Sequence, residues 1–365
     1  MLICSLCGSV FQNVGKTPGV CSDCIRNRWE EARGLVEGVH RESRKRFNLP
    51  ARKPCSDGGR ECKICVRRCV MGEGDVGWCG VRKGSKESFS RDGNKRALVS
   101  AYFDPLPTNC VADWVCAGGT GSGYPEFAYE PGPEVGYYNL AVFFEACNLN
   151  CLFCQNWSFK VAALKGRWKS VEFLASLPDS RTSCVCFFGG DPSPQLPYAI
   201  RVVNQMLAAR QSRILRICWE TNGMASIPFL KYMLEVSKKT GGCIKVDLKA
   251  WDRRIHMALC GVDNDHILRN FAYLASRAKE RLEPPLVIAS TLLVPGYVDA
   301  EEVFNIARFI ARFDPDIPYS LLAFAPQFEM KDFRPTSARQ AGECFEAARE
   351  AGLKRVRIAN RHLLW

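Results

Sequence analysis

Cys147, Cys151 and Cys154 stand in the run Cys147-Asn148-Leu149-Asn150-Cys151-Leu152-Phe153-Cys154. Separated by three and then two residues, they reach one another on one short loop. Three thiolates can therefore converge on an iron–sulfur cluster and leave one cluster iron open. That open position is where chemistry would take place. A structural zinc ion asks for four ligands, and neither a histidine nor a fourth cysteine lies near this loop. The next cysteines, Cys184 and Cys186, fall in a distant apolar stretch.

Two more cysteine groups precede the loop. Cys4, Cys7, Cys21 and Cys24 form two Cys-x-x-Cys knuckles around a turn-rich stretch, the pattern of a tetrahedral site for zinc or a rubredoxin-like single iron. Its default role is to fold a small module that lacks a core of its own; electron relay by iron is the sharper alternative. Cys62, Cys65, Cys69 and Cys79 suit zinc or an auxiliary iron–sulfur cluster alike, with Cys55 as a spare. Cys110 and Cys116 read as buried thiols. The stretch Gly118-Gly119-Thr120-Gly121-Ser122-Gly123 lacks the Gly-Lys-Ser/Thr ending of a phosphate loop, and Pro125 and Pro131 oppose a following helix. It reads as a mobile loop over the site.

The elements that position these groups come next. A chain of 365 residues, 47% hydrophobic, buries a full core and holds one large domain with smaller attachments. No apolar run is long enough for a membrane span and no secretory signal opens the sequence, so a soluble, cytoplasmic protein without a membrane partner is expected. Twenty cysteines, mostly in short groups, then point to metal ligation over a disulfide scaffold. The net charge of +12 is concentrated in residues 1–100, which hold 20 Lys and Arg against 11 Asp and Glu. Such a front end is compatible with an acidic protein, RNA or a phosphorylated substrate, although a solvated surface is the plainer reading.

The expected organisation has three parts. Residues 1–48 form the zinc-ribbon or rubredoxin-like knuckle and an amphipathic helix from Ile25 to Arg46, whose last turn, with Arg41, Arg44, Lys45 and Arg46, is solvated and suits the helix dipole. Residues 49–135 form a cysteine-rich module and the Gly-rich loop. Residues 136–365 alternate apolar strands with helices, the α/β pattern of a partial (β/α) barrel with its site at the carboxyl ends of the strands. Strands are expected at 139–144, 183–188, 214–219, 243–248, 286–293, 319–324 and 355–358, with helices at 194–209, 227–239, 300–313 and 337–351. His256 and His266 fall in a helical region and His40 and His362 at the periphery; all read as structural or solvated.

The cysteine loop, with Phe153 just before its third cysteine, resembles that of the radical S-adenosylmethionine (SAM) superfamily. Strand-end motifs extend the likeness: Gly189-Gly190-Asp191-Pro192, Glu220-Thr221-Asn222-Gly223, Lys245-Val246-Asp247-Leu248-Lys249, Val294-Pro295-Gly296-Tyr297 and Ala323-Phe324-Ala325-Pro326. Within the superfamily the set is most similar to the pyruvate formate-lyase activating enzyme-like group, and to its AmmeMemoRadiSam branch. That similarity covers roughly residues 60–360 and includes Cys62-x2-Cys65-x3-Cys69-x9-Cys79-Gly80-Val81-Arg82 and Gly352-Leu353-x3-Arg357-Ile358-Ala359-Asn360.

The resemblance implies a 4Fe-4S cluster on Cys147, Cys151 and Cys154 and reductive cleavage of bound SAM to a 5'-deoxyadenosyl radical that abstracts hydrogen. By the same resemblance, Gly189, Gly190, Asp191 and Pro192 meet the SAM amino group; Glu220, Thr221 and Asn222 suit ribose; and Asp247 and Lys249 lie near the methionine moiety. Phe153, Val294, Pro295 and Phe324 complete the expected cofactor surface. The implied partners are an electron donor such as ferredoxin or flavodoxin and a substrate protein, such as a glycyl radical enzyme. A peptide, RNA or small molecule modified directly is the alternative. Related activases often carry histidine where this chain has Phe324-Ala325-Pro326. The rival of another class is a non-catalytic zinc-dependent protein that binds protein or nucleic acid.

Overall fold

A computed structural model describes residues 2–11, 15–88, 94–210 and 213–365. At its centre lies one nine-stranded sheet. Its strands are β1 (Arg96–Pro105), β2 (Tyr138–Phe144), β3 (Trp168–Ser170), β4 (Thr182–Gly189), β5 (Arg216–Thr221), β6 (Ile244–Asp247), β7 (Val287–Leu293), β8 (Tyr319–Ala323) and β9 (Val356–Ala359). They run in the spatial order β9-β8-β7-β6-β5-β4-β2-β1-β3. From β2 to β9 all neighbours are parallel, whereas β1 is antiparallel to both β2 and β3. Beginning and ending on different edges, the sheet curls without closing, as expected for a partial barrel. It draws β1 from before the expected division at residue 135 and the other strands from after it.

Parallel strands need long crossovers, and amphipathic helices supply them at Leu196–Ala209, Ile227–Thr240, Ala300–Ala311 and Ala338–Glu350. Side chains alternate across each strand. Val185, Phe187, Ile217, Trp219, Ile244 and Val246 are buried in the main core, where Phe187 stacks on Trp219 at 4.7 Å. The alternate positions Cys184, Cys186, Cys218, Glu220, Lys245 and Asp247 face an interior cavity. None of the described helices is long and apolar enough to cross a membrane.

Residues 106–116 span the opening from β1 to β8 and β9. Ser320 Oγ donates to the Val111 carbonyl at 2.7 Å, Trp114 Nε1 donates to Ser320 Oγ at 3.1 Å, and Arg357 pairs with Asp113. The first of the following glycines form a one-turn helix, Ala117–Thr120, with Gly118 and Gly119 on the cavity wall, and the expected loop is kept only from Gly121 to Gly123. A Cβ on Gly119 would fall 1.8 Å from the Asp113 carbonyl oxygen, so close packing requires glycine there.

Below this segment, Glu134 and Arg216 form a buried two-pronged ion pair, 2.7 Å from Nη1 to Oε1, and Arg216 also donates to Ser183 Oγ and the Phe127 carbonyl. Removing one partner strands the other charge out of water. Arg216→Met is therefore expected to cost about 3–5 kcal/mol, read as a lowered urea midpoint; an unchanged midpoint would show that the pair contributes nothing.

The amino-terminal helix departs from expectation. It is two helices, α1 (Ser22–Asn27) and α2 (Trp29–Lys45), broken at Arg28, where φ is −130° and ψ 45°. Arg28 turns its guanidinium to the Leu6 carbonyl and Glu31, while Arg254 takes the Arg26 carbonyl. The break lets α1 follow the cysteine knuckle and α2 lie along the barrel. Nor is the basic last turn wholly solvated. Arg44 is 1% exposed, lies 3.4 Å from the Trp78 ring centre and donates to the Pro50 carbonyl.

Candidate functional site

The triad loop leaves the carboxyl end of β2 and is pinned by its own backbone. Asn150 and Leu152 donate N–H bonds to the carbonyls of Cys260 and Leu259, at the end of the helix Arg253–Cys260. Cys147, Cys151 and Cys154 all line a cavity of about 350 Å³. Burial pushes the Cys154 thiol up to about 12 and Cys147 well above the usual range. These thiols would give up their protons to a metal rather than to water. The Cys151 sulfur instead has Cys260 as a hydrogen-bond partner. Three cysteines around one cavity, with no fourth ligand on the loop, fit a cluster with one exchangeable corner.

The end of β4 abuts this loop. Gly190 donates to the Phe144 carbonyl and Asp191 to that of Ala146, both at 2.8 Å. Gly189 has φ +107°, and a Cβ on Gly190 would sit 2.4 Å from the Ala146 oxygen. Side chains are thereby excluded at both positions. The Asp191 carboxylate points into the protein, accepting from Ser193 N–H at 2.8 Å, Asn222 N–H at 2.7 Å and Thr221 Oγ1 at 3.0 Å. It clamps the end of β5 to the glycine turn. An amide there would turn a donor toward an N–H, so Asp191→Asn is expected to cost about 1–3 kcal/mol. The melting temperature measures this, and an unaltered value would remove the clamp role.

Asn222 carries the connection onward. Its Nδ2 donates to Asn148 Oδ1 at 2.7 Å and lies 3.7 Å from Cys147 Sγ. Across the cavity, Glu220 pairs with Lys245 at 3.2 Å, and Lys249 pairs with Asp247 at 2.8 Å. Burial disfavours the Lys249 ammonium, but the Asp247 carboxylate and the Cys151 sulfur outweigh it and hold its pKa above the ordinary lysine value. Asp247 is itself held by Ser290 Oγ at 2.6 Å. Phe153, Gly189, Gly190, Asp191, Glu220, Thr221, Asn222, Asp247 and Lys249 all line the cavity with the triad. Val294, Pro295 and Phe324 are buried outside that lining, and Leu292, Leu322, Ala325 and Asn360 take their place. Pro192 is buried behind the turn, next to the 3-10 segment Ser193–Gln195.

The supporting groups escape sequence reasoning because they come from distant elements. His40 is buried rather than peripheral. Its Nε2 meets the Ala258 carbonyl, and its Nδ1 lies 3.0 Å from Asn150 Nδ2. Lys160 donates to Asn150 Oδ1 at 2.6 Å, and burial lowers its pKa to about 8. Only the two asparagines inside the cysteine loop could have signalled this scaffold.

The other cysteine groups differ in geometry. The sulfurs of Cys4, Cys7, Cys21 and Cys24 all lie within 4.8 Å of one another, positioned for a single metal ion. Tyr297 Oη fastens this knuckle to the barrel by donating to the Val20 carbonyl at 2.9 Å. Cys62, Cys65, Cys69 and Cys79 surround a separate small cavity with Arg67, Trp78 and Asn148. Arg67 Nε, Trp78 Nε1 and Asn148 Nδ2 are buried there without a hydrogen-bond partner.

Comparison with known proteins accords with this geometry. Residues 141–310 match the family model "Radical SAM superfamily". The pyruvate formate-lyase-activating enzyme of Staphylococcus aureus (strain USA300) is 28% identical over 204 residues, covering 53% of this chain and 76% of that protein. Among solved structures, a radical SAM methyltransferase from Sphaerobacter thermophilus aligns with a TM-score of 0.47 and 16% identity, over 61% of this chain and 67% of its own. A domain of pyruvate-formate lyase-activating enzyme from Bacteroides vulgatus ATCC 8482 aligns with a TM-score of 0.37 and 18% identity, over 48% and 98%. On the family match and the sequence relatives, the chain is similar to the radical SAM superfamily over residues 141–310 and to a pyruvate formate-lyase-activating enzyme over about half of its length.

Proposed function

We propose that this enzyme uses Cys147, Cys151 and Cys154 to hold a 4Fe-4S cluster and abstracts hydrogen from a glycine of a partner protein. The single observation carrying the reading is the triad's position on a cavity that it shares with the glycine turn, Asn222 and the Asp247–Lys249 pair. The cluster and SAM, once bound and given an electron by a reductant, would supply a 5'-deoxyadenosyl radical for that abstraction. The chain's own residues do the positioning. The Gly189–Gly190 backbone would admit the amino end of SAM where a side chain would block it, Lys249 would offer its cation to the carboxylate, and Thr221 and Asn222, on the cavity lining, would take the ribose side. Phe153 and the buried loop restrict water, which protects a reactive intermediate.

The homologous activating enzymes motivate the glycine substrate and a reductant such as ferredoxin or flavodoxin. The unpartnered donors around Cys62, Cys65, Cys69 and Cys79 favour an anionic auxiliary cluster at that set, since N–H groups stabilise thiolate sulfur. The test is an anaerobic incubation of the reconstituted protein with reductant and SAM. Formation of 5'-deoxyadenosine is expected, followed by a long-lived glycyl radical, detected by electron paramagnetic resonance, on a candidate partner. Deoxyadenosine with a closed-shell mass change on a peptide, RNA or small molecule would replace the activase reading with direct modification. Absence of SAM cleavage in iron-loaded protein would sink both.

A further inference from the structure

Three adjacent strands bring cysteines to one level of the barrel wall. Cys186 on β4 is in register with Cys218 on β5. Cys243, just ahead of β6, accepts the Trp219 N–H through its carbonyl and so lies beside Cys218; the two sulfurs are 4.0 Å apart. Cys110 enters the same space from the 106–116 segment. The Lys245 ammonium lies 3.1 Å from the sulfurs of both Cys110 and Cys186. All five line the cavity, and none has a part in the SAM contacts above.

We propose that Cys110, Cys186, Cys218 and Cys243 hold a further iron–sulfur cluster inside the barrel, with Lys245 as its counter-cation. Two thiolates on one tetrahedral iron stand about 3.8 Å apart when metal–sulfur bonds are near 2.3 Å, and Cys218 and Cys243 match that separation. The four sulfurs do not crowd around one ion. Among the described residues, only the Cys4 group brings three or more such ligand atoms within 4.8 Å of one another. A wider spread suits a body of several irons.

Lys245 supplies the second argument. Its side chain is 2% exposed, and among the described residues its one carboxylate partner is Glu220 at 3.2 Å. A buried ammonium has to be satisfied. A neutral thiol is a weak acceptor, whereas a metal-bound thiolate is a strong one. Cys184 is a different case, since its partner is the Asn139 amide oxygen at 3.3 Å and not another sulfur or the Lys245 ammonium.

The site does not depend on how SAM is used, and its test reads metal rather than turnover. The full chain with Cys147, Cys151 and Cys154 replaced by alanine is reconstituted anaerobically with ferrous iron and sulfide. It is then compared with the same protein also carrying Cys186→Ser and Cys218→Ser. The amino-terminal cysteine groups contribute equally to both and cancel. The serine pair is expected to remove about two irons per chain with a matching loss of sulfide. No difference, or a fall in iron with sulfide unchanged, overturns the proposal. If circular dichroism shows the sheet variants misfolded, Cys110→Ser, outside the sheet, is expected to give the same loss, and retention of both elements there overturns it. A Cys218–Cys243 disulfide in the intact mass of anaerobically purified protein would do so too.

Discussion

Cys147→Ala is expected to reduce 5'-deoxyadenosine formation to the level seen without enzyme. Loss of an outer partner typically costs a metal site about 10–100-fold, and here a direct ligand of a three-legged site is removed. Among the described residues, the Cys147 sulfur takes its hydrogen bonds from the Leu149 N–H and the Asn222 amide and none from another sulfur. Cys151 differs, because Cys260 stands against it, fully buried at the end of its helix. Cys151→Ala should therefore retain part of the iron, with Cys260 as substitute ligand, and Cys151→Ala with Cys260→Ala should lose it. Measuring iron, sulfide and deoxyadenosine in the three variants checks this; full activity in Cys147→Ala would remove the triad from the mechanism.

Stripping the metal from Cys4, Cys7, Cys21 and Cys24 is expected to unfold the knuckle. Binding at structural zinc sites supplies apparent energies of about 10–16 kcal/mol in small modules. This module has little else, its buried apolar side chains being mainly Val20 and Ile25 beside the cysteines. Chelation, or Cys21→Ser, should expose the bonds after Lys16, Arg26 and Arg28 to trypsin while the barrel resists. Unchanged digestion would mean that packing against Tyr297 and the Arg26–Glu302 pair suffices.

Much of the barrel is legible in the sequence because parallel strands are written as short apolar runs and their helices as amphipathic stretches. The observed strands β4 to β8 begin and end within about two residues of the expected ones, an ordinary boundary uncertainty. The convergence of Cys147, Cys151 and Cys154 on one cavity was legible because they sit on one short loop. What escaped was set by distant packing. The break at Arg28 answers to the Leu6 and Arg26 carbonyls, and the burial of Arg44 answers to Trp78. His40 and Lys160 meet at Asn150 from opposite sides. The cysteines at one level on β4, β5 and ahead of β6 are invisible until strand register is known.

The segment 106–116 bears on how anything large could reach the interior. It fills the gap between the sheet's edges with two side-chain hydrogen bonds at Ser320 and one ion pair at Arg357, rather than with a ladder. It is also packed: Ala112 and Val115 are buried against Ile288, and Cys110 reaches Lys245 at 3.1 Å. Low-stability segments have few buried apolar contacts, and this one has several, so it stays closed with the core. The barrel is thus stoppered on this side, and the stopper carries Cys110 into the interior.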